Sequence, residues 1–88
     1  MNDVQATARD DIRRIGLFGG TFDPVHTGHL VIAEIVREQA GLDVVLFIPA
    51  ANPPHKNHIR MFDALQRFNM VNAAIADNPH FLVSDIEL

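Results

Sequence analysis

Apolar positions along the chain fall into three short runs, separated by two stretches in which they recur at helical spacing. The first run, Arg13–Gly19 (R-R-I-G-L-F-G), is nearly continuous in apolar character after its two arginines. That pattern predicts a strand buried on both faces of a parallel sheet. From His29 to Ala40, Leu30, Ala33 and Val36 share one stripe while Glu34, Arg37 and Glu38 share the opposite face, which predicts an amphipathic helix. Gly41 suits the position just past its end. Leu42–Ile48 (L-D-V-V-L-F-I) reads as a second strand.

A polar loop over Pro49–Phe62 follows, at about fourteen residues near the length above which loops tend to serve a purpose. Asp63-Ala-Leu-Gln66 has the form of a capping box opening a helix that runs to about Asp77, with Ala64, Phe68, Val71 and Ile75 as its buried stripe. Asn78-Pro79 stops it, and Phe81–Leu88 resumes as a less buried third strand. The order β-α-β-loop-α-β is half of a doubly wound parallel α/β sheet, with strands in the order 3-2-1. Such a sheet leaves the outer edge of the first strand bare, so self-association through that edge is expected. Residues 1–11 are polar and aperiodic, a loose lead-in.

Composition narrows the field. The chain has 88 residues, 48% hydrophobic and 20% charged, which fits one small globular domain. A net charge of −4 gives no general attraction for nucleic acid or an anionic membrane, so an anionic ligand must be drawn by local groups. Cysteine is absent, which excludes disulfides and thiolate metal sites. No apolar run approaches the ~20 residues of a membrane span and the first residues do not form a signal peptide, so a cytoplasmic location is expected.

The local groups lie in Gly19–Leu30, G-G-T-F-D-P-V-H-T-G-H-L. This strand-to-helix turn is where parallel α/β sheets bind ligands. Gly19 and Gly20 suggest a sharp bend that bares main-chain amides, and a helix starting near Gly28 offers unpaired N–H groups to an anion. His26 and His29 flank that start and are placed to face one site. The spacing is neither that of a Walker loop nor G-x-G-x-x-G. In the second loop His55, Lys56, His58 and Arg60 bring four cationic or basic groups into six positions. By itself such a cluster is also what a solvated charged loop looks like, and His26, His29, His55 and His58 together would also suit zinc if the loops met. Asp23 is expected to accept from loop amides or to orient a histidine; Arg67 is expected to be a structural helix residue, His80 a surface one, and Arg13 and Arg14 a solvated strand entrance.

The segment containing His26-Thr27-Gly28-His29 resembles the H-x-G-H signature of the nucleotidyltransferase superfamily. Ile48–Lys56 (I-P-A-A-N-P-P-H-K) resembles the P-P-H-K loop of nicotinate mononucleotide adenylyltransferases, and Arg67-x-x-Met70 through Glu87-Leu88 is similar to that family as well. The resemblance covers nearly everything after residue 12. It implies a Rossmann-like fold and adenylyl transfer from ATP to nicotinate mononucleotide, giving deamido-NAD and pyrophosphate. His26, His29 and Lys56 would be catalytic. Gly19, Gly20, Thr21, Phe22 and His29 would bind the nucleotide, and His55 with Lys56 the acceptor phosphate. Magnesium would come with ATP, held by no protein side chain. Relatives in this family carry a further segment for base recognition and a later triphosphate-binding motif, so 88 residues are expected to bind nucleotide weakly and catalyse poorly. A pantetheine-phosphate adenylyltransferase type, or a module that binds nucleotide without turnover, are the alternatives.

Overall fold

The computed structural model describes residues 12–51 and 62–88. Five elements follow in order: strand β1 (Ile15–Gly20), helix α1 (Thr27–Ala40), strand β2 (Val44–Pro49), helix α2 (Ala64–Ala74) and strand β3 (Phe81–Val83). All strand pairs are parallel, with β2 central between β1 and β3. The register sets Leu17 against Leu46 and Gly20 against Pro49. The alternating α/β architecture and strand order therefore agree with the sequence pattern, and β1 is an open edge among the described residues.

The strand entrance is fastened by Asp43, whose carboxylate accepts from the backbone N–H of Arg13 and of Arg14, both at 2.8 Å. These two bonds favour the ionised form and draw the Asp43 carboxyl below its ordinary range. At its far end α1 stops at Gly41, which adopts φ 66, while the N–H of Leu42 reaches back to the Arg37 carbonyl at 2.9 Å. A left-handed residue is what this helix end requires, and glycine supplies it without a steric penalty.

Both helices lie on one face of the sheet. Ala33 of α1, Val71 of α2 and Ile75 just beyond it join Phe22, Val45, Phe47 and Phe81 in a single buried cluster, with Phe18 and Leu30 packed against it. This corrects the expectation for the first strand: β1 is buried on one side only, and Ile15 and Leu17 on the other are 53% and 70% exposed. On that same face Val44 of β2 is buried, so it is the β1 edge that stands open among the described residues. For the same reason the α1 stripe is only half used. Ala33 is buried, but Ile32 and Val36 remain exposed and, with Leu17, wall an apolar groove between α1 and β1.

The later elements are shorter than their patterns suggested. Helix α2 ends at Ala74 with Ile75 as its cap, and a turn carries the chain to Asn78, whose side chain accepts from the His80 N–H at 2.8 Å. Strand β3 stops at Val83. The Ser84 N–H still bonds the Phe47 carbonyl, but the Ser84 hydroxyl accepts from the Ile86 N–H at 3.1 Å and draws the chain out of the sheet. His80 is exposed, as expected.

Candidate functional site

The turn after β1 begins with Gly19 and Gly20 still in the ladder, paired with Ile48 and Pro49. The bend is not made by these glycines. The residue that takes a left-handed conformation is Phe22, at φ 51. A non-glycine residue there is strained and must be held by its surroundings. Its ring supplies much of the hold: Phe22 is 3% exposed and packs edge-on against Phe18, with ring centroids 5.3 Å apart. A Cβ at Gly20 would sit in ordinary contact with the Phe22 ring, 3.4 Å away.

Helix α1 is capped by two imidazoles. His26 sits at the cap in extended geometry, and its Nδ1 accepts from the Gly28 N–H at 3.1 Å. The His26 N–H in turn donates to Nδ1 of His29 at 3.0 Å. Two orphan amides of the helix start are satisfied this way, the work a serine–glutamate capping box does elsewhere. A neutral imidazole that accepts through Nδ1 carries its proton on Nε2. Both rings are thus set as Nε2–H donors beside the positive end of the helix. They stack, with centroids 3.9 Å apart and planes inclined by 31°. Gly28 makes room for the stack, because a Cβ there would come within 2.9 Å of the His26 ring.

His29 also leans edge-on against Phe22, centroids 5.0 Å apart, and against Phe18 at 6.0 Å. Burial beside these rings lowers its pKa from the ordinary 6.5, and the neighbouring His26 lowers it further. His29 is accordingly neutral at physiological pH and acts by donating a hydrogen bond.

Asp23 does what the first of its two expected roles required: its Oδ1 accepts from the Phe62 N–H at 3.0 Å, tying the turn to the end of the second loop. Arg67 goes well beyond a generic helix residue. It is fully buried, and its guanidinium donates to the carbonyls of Phe62, Thr21, Ala50 and Ala51 at 2.7–3.2 Å. Sequence reasoning passed over this role, although the spacing carried a sign of it: Arg67 lies between Ala64 and Val71 on the inward stripe of α2. An arginine on an apolar stripe needs acceptors, and three loop ends supply them. His55, Lys56, His58 and Arg60 lie outside the described residues. Among the described residues no group of three His, Asp or Glu side chains is placed to hold a metal ion.

A glycine-ended parallel strand runs through a strained turn into a helix start capped by H-x-G-H, and the chain belongs to the cytidylyltransferase-like family, whose model matches residues 17–88. More particularly, it is similar to proteins named "Probable nicotinate-nucleotide adenylyltransferase". The one from Bacillus pumilus is 53% identical over 77 residues, which cover 88% of this chain and 41% of that protein. The one from Desulfitobacterium hafniense is 51% identical over 86% of this chain and 37% of its own length. That from Syntrophotalea carbinolica is 55% identical over 84% and 34% respectively. The chain thus spans about two fifths or less of the curated relatives it matches.

Proposed function

We propose that this chain carries the triphosphate-handling part of a nicotinate mononucleotide adenylyltransferase. The observation that supports this best is the pair of capped imidazoles, His26 and His29, which present Nε2–H donors at the start of α1 beside Phe22. Two imidazole donors at the positive end of a helix suit an anion whose charge shifts during reaction.

In this reading a phosphate oxygen of nicotinate mononucleotide attacks the α-phosphorus of ATP in line. A new phosphorus–oxygen bond forms, the bond to the bridging oxygen breaks, and pyrophosphate leaves with the electron pair. The attacking oxygen is already anionic near neutral pH, so no general base is needed. The protein supplies placement and charge stabilisation. His26 and His29, with amides of Gly19, Gly20, Thr21 and Phe22, would bind the triphosphate. Lys56 and His55 would neutralise the acceptor phosphate or the leaving group. Magnesium enters as part of the nucleotide, held by phosphate oxygens and water.

Pyrophosphate release with ATP and nicotinate mononucleotide, measured beside calorimetric binding of ATP, tests the reading. Release supports transfer. Binding without release favours the second reading, a nucleotide-binding module. Absence of both defeats the proposal for this chain. The exposed apolar residues of β1 and α1 further support self-association, with a second copy covering Ile15, Leu17, Ile32 and Val36.

A further inference from the structure

Arg67 is a permanently charged side chain at 0% exposure, one turn into α2. Its Nε donates to the Phe62 carbonyl at 3.1 Å and Nη1 to the Thr21 carbonyl at 2.7 Å. Nη1 also reaches the Ala50 carbonyl at 2.8 Å, and Nη2 the Ala51 carbonyl at 3.2 Å. Every one of these acceptors is a main-chain oxygen. A buried cation is costly unless its donors are well satisfied, so what these four carbonyls have in common matters. They come from the turn after β1, from the exit of β2 and from the residue leading into α2. These are the three places where the chain leaves the sheet toward the candidate site or returns from it.

We propose that Arg67 is a positioning residue for anion binding at the turn after β1, acting through the Thr21–Phe22 peptide. The inference rests on the reading of that turn as a polyphosphate site. A trans peptide is planar with its C=O and N–H on opposite sides. Drawing the Thr21 carbonyl into the guanidinium therefore directs the Phe22 N–H the other way, away from Arg67. A cation bound to the oxygen also polarises the amide, making the N–H a stronger donor. Phe22 is the described non-glycine residue at positive φ, a conformation that lasts only where neighbours enforce it. The Thr21 bond to Arg67 and the packing of the Phe22 ring enforce it from both sides. The same planar fork fixes how far this turn stands from the Ala50–Ala51 exit and from Phe62. Lysine retains the charge but not the geometry, since a single nitrogen does not span four carbonyls held by three.

The test is nitrogen–proton NMR of the labelled chain titrated with inorganic tripolyphosphate, in the wild type and in Arg67→Lys and Arg67→Met. In the wild type the Phe22 amide shifts as the anion binds. In Arg67→Lys the resonances of β3 and the second half of α1 stay in place, while the Phe22 amide moves and exchanges faster with solvent. Tripolyphosphate affinity falls about tenfold, the size of one lost charge-assisted bond, and Arg67→Met loses more. An unmoved Phe22 amide with wild-type affinity in Arg67→Lys overturns the proposal. So does global unfolding of both variants, which would make Arg67 a prop for the whole fold. If the wild type ignores tripolyphosphate yet the Phe22 amide still responds to Arg67→Lys, the positioning stands and the polyphosphate reading fails.

Discussion

His29 does two things with one ring: Nδ1 closes the cap of α1, which leaves Nε2–H as the ring's donor. The two separate experimentally. Glutamine at this position is the usual closing residue of a capping box, so His29→Gln should keep the helix start and lose the donor. Removing one strong donor at a transfer site costs ~10²–10³ in turnover, and a full-length enzyme carrying His29→Gln should lose at least that much. A near wild-type rate would take His29 out of the chemistry. The pH response gives a second check. Because its folded pKa lies below 6.5, the unfolded chain binds a proton more readily than the folded one in the window between them. Stability from this residue is therefore complete above that window and declines as pH falls through it. Urea midpoints between neutral and mildly acidic pH should fall more for the wild type than for His29→Gln, and equal slopes would contradict the assignment.

Helix α1 places both imidazoles, and its two terminal glycines make opposite predictions. Gly28→Ala gains helix propensity of about 0.8–1 kcal/mol. It also drives a Cβ into the exposed His26 ring, which must swing away and release the Gly28 N–H. A lost cap costs about 1 kcal/mol, so melting should change little while anion affinity drops. Gly41→Ala is the converse. Its new Cβ has room, 3.5 Å from Arg14, but φ 66 strains any L-residue by roughly 1–2 kcal/mol. Calorimetry should show it less stable by about that amount with affinity unchanged. If Gly28→Ala left affinity intact, the stacked geometry of the two rings would be irrelevant to binding.

For the molecule as a whole, the decisive feature is that the β1 edge, with Ile15 and Leu17 on it, is open among the described residues. Ile15 and Leu17 on β1 and Ile32 and Val36 on α1 are all exposed, and clustered exposed apolar side chains favour association. Sedimentation velocity should reveal concentration-dependent association. Leu17→Lys, on a residue 70% exposed, should reduce association with little effect on melting, because the side chain contributes almost nothing to the core. Association equal to that of the wild type would place the contact elsewhere.

Much of this was readable in advance. Strand, helix and crossover followed from apolar spacing, the caps from Gly41, Asp63 and Gln66, and the family from H-x-G-H, since each is a short-range pattern with one economical solution. Other features were not. Counting glycines pointed to the wrong residue for the bend, because strain at Phe22 is tolerated only when a buried ring and a distant guanidinium enforce it. The β1 pattern promised burial on two sides, but burial depends on what packs against a face, not on the strand's own composition. Residue order alone determined the elements, their parallel arrangement and the pair of histidines at a helix start. Only the tertiary structure decided that Arg67 joins three loop ends, because hydrogen bonds between residues 16 to 46 positions apart exist only once the chain has closed on itself.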